Sequence, residues 1–200
     1  MSDQAMQASV ASHPIRLVNN DDLERNRLTV FFRLILAIPH FIWLAIWGLA
    51  LYIAAFFFWL IALFTGRLPD GAHNFVASFT RYSTHVYAYI SLLSDPFPQF
   101  SGAEGSYPID LQIDGPQQQG RLGIFFRIIL AIPAFILAYV LRLLMNVLAF
   151  VGWFYALFTG RMSEGIESLG TYALRYEAQT LGYAFLLTST YPSLGGAPTA

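Results

Sequence analysis

The stretch RLTVFFRLILAIPHF (Arg27–Phe41) returns later in the chain as RLGIFFRIILAIPAF (Arg121–Phe135). The phrase ALFTGR likewise occurs twice, at Ala62–Arg67 and at Ala156–Arg161. Both repetitions share an offset of 94 positions, and neither needs an insertion or a deletion. Self-similarity that stays in register over several blocks indicates a duplicated structural unit.

The composition indicates that lipid is part of this chain's solvent. Hydrophobic residues make up 56% of the sequence and charged residues only 12%, about half the charged share of ordinary globular proteins. The eleven basic residues are all arginines, and they do not cluster as a nucleic-acid surface would. The absence of cysteine excludes disulfides and cysteine-ligated metals. We therefore predict a first membrane repeat over residues 13–106, a second over 107–200, and a polar N-terminal tail over 1–12.

Each repeat contains an apolar run that is long for a single membrane crossing. No fixed charge lies between Arg33 and Arg67, and the same holds between Arg127 and Arg161 except for Arg142. A continuous helix over such a run would be about 50 Å long, whereas the hydrocarbon core of a bilayer is about 30 Å thick. Two arrangements remain open: one helix preceded by an interfacial piece ending at a proline, or a helical hairpin that crosses twice.

Charge placement favours the hairpin. Arg142 would lie at the tip, in water, as would its counterpart Gly48, instead of deep in a single span. With two crossings per repeat, both copies face the same way and the flanking arginines lie on one side, as the positive-inside rule prefers. With one crossing per repeat, the copies would face opposite sides. The predicted localisation is the inner (cytoplasmic) membrane, multi-pass, with both termini cytoplasmic.

Further elements complete the predicted repeat. Phe75, Phe79, Tyr82 and Val86 recur at helical spacing, which predicts an amphipathic helix in the interface plane; its second copy spans about 166–187. Alternation in the second copy, from Tyr107 onward, predicts a short strand that could pair with its counterpart. The predicted fold is therefore an all-α integral membrane protein of two tandem helical-hairpin units. It has about four transmembrane helices, an interfacial amphipathic helix after each unit, and strand-like leading segments.

The repeated ALFTGR phrase predicts where a helix leaves the membrane. Gly66 and Gly160 are expected to end their helices in the left-handed conformation that glycine adopts without strain. Arg67 and Arg161 would then lie at head-group level. Guanidinium suits bidentate phosphate contact, so the arginine pairs that recur at the 94-residue offset are candidate contacts for anionic lipid head groups: Arg33, Arg67, Arg81, Arg127, Arg161 and Arg175.

These motifs resemble a bacterial membrane-protein family known as domain of unknown function four-three-eight-nine. The resemblance rests on the arginine-rich start with its Ile-Pro pair, on LFTGR, and on the following arginine–tyrosine helix, and it covers two tandem copies. The second copy departs from the pattern at Ala134 and in MSEG, which replaces LPDG. The resemblance implies an integral membrane location, and it supplies no activity and no catalytic residues.

Candidate catalytic chemistry is sparse. Of the four histidines, His73 and His85 could share a helix face, but Glu167 and Gln179 replace them in the second copy. A metal site would need at least three converging ligands. The paired acids Asp70 and Glu164 are expected to cap the following helix, with a general-acid role as the alternative. No phosphate loop, GxSxG or HExxH occurs. We expect no cofactor and no metal.

Three functional hypotheses follow. The first is a non-enzymatic accessory or scaffolding component of a membrane assembly, which binds anionic lipid and has a membrane-protein partner or forms a homo-oligomer. The second is a small transporter or channel built from two parallel repeats. The third, a lipid-modifying enzyme, would depend on Asp70 and Glu164. The first is preferred because it needs no catalytic residues and no polar pathway.

Overall fold

The computed structural model describes residues 13–195, so the tail predicted over residues 1–12 lies outside the described part. Each repeat contributes a strand, a short helix, a long apolar helix and a shorter helix. In the first repeat these are β1 (Ile15–Asn19), α1 (Arg27–Leu36), α2 (Ile38–Thr65) and α3 (Asp70–Ile90). In the second they are β2 (Ile109–Ile113), α4 (Arg121–Phe125), α5 (Arg127–Thr159) and α6 (Glu164–Ala184). The elements follow the same order in both copies.

The predicted hairpin inside each apolar run is wrong. Helices α2, of 28 residues, and α5, of 33, continue without a turn through Gly48 and Arg142. A single helical glycine costs only about 1 kcal/mol relative to alanine, too little to end such a helix. The first repeat follows the other arrangement, in which a short helix precedes the long one and Pro39 lies in the first turn of α2.

Helical hairpins form instead between each long helix and the helix that follows it. Phe58 of α2 packs on Phe75 of α3, and Trp47 packs on Phe79, with ring centroids 6.3 and 5.8 Å apart. The pairing partners move forward along α3 as they move back along α2, so the two helices are antiparallel. The second repeat forms the same pairing between α5 and α6.

The predicted pairing of the two leading strands is confirmed. Strands β1 and β2 form a two-stranded antiparallel sheet in which Leu17 lies opposite Leu111. These two leucines are equivalent positions of the two repeats. Antiparallel strands are related by a two-fold axis perpendicular to their sheet, so an approximate two-fold axis passes between Leu17 and Leu111 and relates the repeats.

The leading segment of each repeat, from its strand to its short helix, packs on the other repeat. Helix α1 of the first repeat packs on the end of α5, where the Trp153 indole donates a 3.0 Å hydrogen bond to the carbonyl of Val30. Helix α4 packs on the end of α2, where Trp59 donates at 3.0 Å to Ile124. The start of α5 therefore lies beside the end of α2, and the two long helices run antiparallel.

The elements stack in three layers along the two-fold axis. The sheet covers one face of α3, from which Arg81 and His85 reach β2, and α2 covers another face, where it packs on Phe75 and Phe79. The second repeat forms the equivalent contacts, of α6 with β1 and with α5. Leu17 and Leu111 share one core with Ala77 and Ala88 of α3, and this core reaches Leu51, at the middle of α2. Helices α3 and α6 are thus enclosed between the sheet and the long helices, and do not lie free in the interface plane as predicted.

Candidate lipid interface

The outer surfaces of α2 and α5 are apolar and exposed. In the most apolar 18-residue segment of α2, only 6% of the residues are buried, and in that of α5 only 22%. Both segments have a mean hydropathy above 2. A stripe at helical spacing, including His40, Leu51 and Ala62, packs inward, whereas Ile53 is 62% exposed and the equivalent Val147 is 61% exposed. Both helices are long and apolar enough to cross a membrane. Soluble monomers rarely expose contiguous apolar patches beyond a few hundred Å².

The two ALFTGR phrases adopt the same local structure. Gly66 and Gly160 have φ values of 81° and 73°, the left-handed conformation predicted for a helix-ending glycine. The Gly66 N–H donates to the carbonyl of Ala62 at 2.7 Å. The Thr65 hydroxyl donates at 2.8 Å to the carbonyl of Ile61, which closes the last turn of α2.

The same phrases also join the two repeats, a role that the sequence alone does not predict. The carbonyl of Gly66 accepts a 2.8 Å hydrogen bond from the backbone N–H of Gln119, and the carbonyl of Gly160 accepts one of 2.9 Å from Arg25. Gln119 and Arg25 are themselves equivalent positions. Each copy of the phrase thus ends a helix and binds the leading segment of the other copy.

The six predicted head-group arginines divide into two classes. Arg67 and Arg161, at the ends of the long helices, are exposed. The other four are buried, with exposed fractions of 9% or less: Arg33, Arg81, Arg127 and Arg175. Contact with lipid head groups therefore stays a prediction for Arg67 and Arg161. The guanidinium groups of the other four arginines are enclosed by protein.

Arg33 and Arg127, at the starts of the apolar runs, hold chain segments together. Arg33 donates to the carbonyls of Tyr89 and Ser94 at 2.8 and 3.0 Å and forms an ion pair with Asp95. Arg127, the first residue of α5, lies 4.2 Å from the centre of the Tyr183 ring and donates to the carbonyl of Thr188 at 3.3 Å. These contacts tie α1 to the loop that follows α3, and the start of α5 to the loop that follows α6.

Arg81 and Arg175 lie under the sheet in different surroundings. Arg81 donates to the carbonyl of Leu111 at 2.9 Å and pairs with Glu104 at 2.7 Å. Arg175 is 1% exposed, and within residues 13–195 its guanidinium nitrogens have no hydrogen-bond partner. Its charge lies 5.2 Å from the centre of the Tyr172 ring. Burial lowers the pKa of Arg175.

Two further exposed arginines lie beside the predicted ones. Arg27 lies next to Gly160, and Arg121 donates at 3.1 Å to the carbonyl of Phe64. The exposed arginines thus form two pairs, Arg27 with Arg161 and Arg67 with Arg121, at opposite ends of the long helices. Neither Arg27 nor Arg121 is among the six predicted head-group arginines, although both recur at the 94-residue offset.

The predicted exposed position of Arg142 at a hairpin tip is wrong. Arg142 lies in mid-α5, faces inward and forms an ion pair with Glu177 of α6. Its guanidinium stacks 3.7 Å above the centre of the Tyr87 ring of α3. The pair lies in a groove of about 430 Å³ between α2 and α5, whose other side includes Gly48. The partner of Arg142 lies 35 residues further along the chain, so the sequence around Arg142 does not reveal the pairing.

Two of the four histidines, His40 and His85, contact polar side chains of the protein. His40 Nδ1 lies 2.7 Å from the Tyr82 hydroxyl, and His85 Nε2 lies 2.7 Å from the Asp110 carboxylate. Burial acts to raise the pKa of Asp110, but hydrogen bonds from His85 and from the Gly105 N–H outweigh it, so this pKa lies below its ordinary value. Across residues 13–195, no three acidic or histidine side chains converge as metal ligands would.

Asp70 and Glu164 are each the first residue of a helix, α3 and α6 respectively. Neither helix start has a side-chain capping hydrogen bond, so the predicted capping contact is wrong. Their carboxylates lie in the first helical turn, where the helix dipole favours negative charge. Both residues are exposed and lie at opposite ends of the long helices.

The chain is thus a mainly helical protein of two interlocked repeats, with two helices long and apolar enough to cross a membrane. It belongs to the family described as Domain of unknown function (DUF4389), whose sequence profile matches residues 27–102 and 121–194. The two tandem matches confirm both the family resemblance and the duplication. No curated protein and no solved structure matches the chain.

Proposed function

We propose that this protein is a non-enzymatic component of the bacterial inner membrane, anchored by α2 and α5, that serves an accessory or scaffolding role and binds anionic phospholipid. The observation that carries the proposal is the exposure of α2 and α5. Only 6% and 22% of the residues in their most apolar segments are buried. Core helices of soluble proteins pass the same hydropathy test, but they are mostly buried. Both helices also lie well inside the chain, unlike a signal sequence.

The exposed arginines support the lipid-binding part of the proposal. Arg67 and Arg161 follow the last apolar turn of their helices, next to Phe64 and Phe158, which are 74% and 75% exposed. An arginine beside a phenylalanine at a helix end is suited to contact a lipid phosphate while the ring contacts acyl chains. Each basic residue near an anionic surface contributes about 1 kcal/mol of attraction. The enclosed arginines are not exposed to lipid, and Arg33 and Arg81 instead join segments of the protein.

The transporter alternative has less support. Parallel repeats would need the long helices to run in the same direction, whereas α2 and α5 are antiparallel. A pathway would also need polar groups free to meet a substrate, and both Arg142 and His40 are engaged by side chains of the protein, Glu177 and Tyr82. A lipid-modifying role for Asp70 and Glu164 would need them close together, and they lie at opposite ends of the fold.

Native mass spectrometry of the detergent-extracted protein tests the lipid-binding proposal. The wild type should retain phosphatidylglycerol or cardiolipin, and the Arg67→Gln/Arg161→Gln double variant should retain markedly less. Arg16→Gln is the matched control, because Arg16 pairs with Asp114 at the sheet, away from the apolar helices. Retention of anionic lipid that is equal in the double variant and in the control would contradict the proposal, as would no retention by the wild type.

A further inference from the structure

We propose that α2 and α5 lie in the plane of the membrane, immersed in the hydrocarbon of a single leaflet, with the sheet on the aqueous side. This inference rests on the membrane location proposed above and specifies the surface that meets the lipid. The occupant of the exposed apolar face is then one leaflet that contains anionic phospholipid, rather than a second protein.

The layer order carries the argument. Arg81 of α3 donates to Leu111 at the centre of the sheet, and Phe79, half a turn earlier on α3, packs on Trp47 of α2. The sheet therefore lies level with the middle part of the long helices. Leu51, at the midpoint of α2, shares a hydrophobic core with Leu17 of β1. Any orientation that sets α2 and α5 across the bilayer would therefore place the sheet at mid-depth in the hydrocarbon.

That crossing orientation would be costly. Within residues 13–195, the outer edge of each strand pairs with no further strand. Edge backbone groups that no side chain satisfies would lack hydrogen-bond partners in the hydrocarbon. The Arg16–Asp114 ion pair at the sheet has side chains 28% and 42% exposed, and Glu104 beside Arg81 is 61% exposed. All these charges would face acyl chains. In the in-plane orientation they face water.

Helix dimensions agree with the in-plane orientation. At 1.5 Å per residue, the 28 residues of α2 and the 33 of α5 extend about 42 and 50 Å. Both lengths exceed the hydrocarbon thickness of about 30 Å, so crossing would need a strong tilt. A helix is only about 10–12 Å wide with its side chains, so the α2/α5 layer fits within one leaflet.

The exposed arginines complement this placement. Arg27 with Arg161, and Arg67 with Arg121, lie at the two ends of the apolar layer. Antiparallel crossing helices would put these pairs on opposite membrane faces, against the positive-inside bias. In the plane, both pairs lie at the same depth beside the phosphates of one leaflet. Equivalent faces of the two repeats then meet the membrane in the same way.

Single cysteines test the orientation, since the chain has none of its own. Asp70→Cys and Glu164→Cys are exposed, equivalent positions at opposite ends of the long helices, and Gln112→Cys lies on the exposed side of the sheet. An impermeant maleimide would be applied to spheroplasts and to inverted inner-membrane vesicles. We expect all three cysteines to be labelled from the same side.

Labelling of positions 70 and 164 from opposite sides would overturn the in-plane orientation, while leaving the membrane location intact. Extraction of the same vesicles with alkaline carbonate separates the two claims. Release of the chain into the supernatant would contradict the membrane location itself. Retention together with same-side labelling of all three positions supports both.

Discussion

Leu17 and Leu111 face each other across the two-stranded sheet, and they are the same position of two duplicated units. Because of this self-pairing, several contacts between the repeats occur twice, at positions 94 residues apart. Trp59 with Ile124 and Trp153 with Val30 form one such pair of contacts. Variants can therefore be made in matched pairs, in which one repeat serves as the control for the other.

The helix-ending glycines should resist replacement. Gly66→Ala and Gly160→Ala each place a side chain on a left-handed backbone, at a cost of about 1–2 kcal/mol in the free energy of unfolding. Gly66→Ala should cost more, because its Cβ would lie 3.0 Å from the Gln118 amide oxygen, whereas the nearest atom at Gly160 lies at 3.5 Å. Thermal unfolding in detergent, followed by tryptophan fluorescence, measures both.

Gly71→Ala is the control for these variants. Gly71 lies within α3 at a negative φ and has open space around the added methyl group. The same substitution should therefore raise the free energy of unfolding there, by up to about 1 kcal/mol. Equal effects at positions 66 and 71 would show that the left-handed turn is unimportant.

The paired indole hydrogen bonds should hold the exchanged segments in place. Trp59→Phe and Trp153→Phe each remove the indole N–H that donates to the carbonyl of Ile124 or Val30, which should cost about 1 kcal/mol each. Chemical denaturation of both single variants and the double variant in detergent measures these losses. A loss at only one of the two positions would contradict equivalent docking of the two leading segments.

The Arg142–Glu177 pair should behave as a coupled unit. Arg142→Met leaves Glu177 unpaired, and Glu177→Met leaves Arg142 unpaired. Each should lower the free energy of unfolding by about 2 kcal/mol, below the 3–5 kcal/mol of a fully buried pair because both side chains keep some exposure. The double variant, which removes both charges, should be more stable than either single variant. Strictly additive losses would contradict the pairing.

Acidification should destabilise the fold through its buried histidines. Burial lowers the pKa of His13 and of His73 below the ordinary value of 6.5. Above that value both rings are neutral whether the chain is folded or unfolded. Below it the unfolded chain binds protons that the folded chain resists, so stability falls as pH falls. Melting temperatures measured between pH 7.5 and 5 should decline, and His73→Gln should make the decline shallower.

Part of the fold can be predicted from short sequence patterns and from the internal repeat. The duplication, the pairing of β1 with β2 and the glycine that ends each long helix depend on residues close together or on exact repetition. The number of segments in each apolar run was predicted wrongly, because the decision depended on Arg142. A charge in an apolar helix needs either water or a partner, and its partner Glu177 lies on another helix.

The exchange of leading segments could not have been read from the sequence. When two repeats are nearly identical, the contact between Trp59 and a backbone carbonyl can be made within a repeat or between repeats with the same residues. The burial of Arg33 was likewise hidden, since it requires the loop after α3 to bring Asp95 back to α1. Only the three-dimensional arrangement distinguishes enclosed arginines from exposed ones.

The contact of α2 and α5 with acyl chains is the central claim, and spin-label accessibility tests it most directly. Single cysteines at Ile53 and Val147, with Gln112 as the aqueous reference, would carry a nitroxide in liposomes that contain phosphatidylglycerol. The account predicts that positions 53 and 147 collide often with oxygen and seldom with a water-soluble nickel chelate, and that position 112 does the reverse. Access of the nickel chelate to positions 53 and 147, or shielding of both from either reagent, would contradict it.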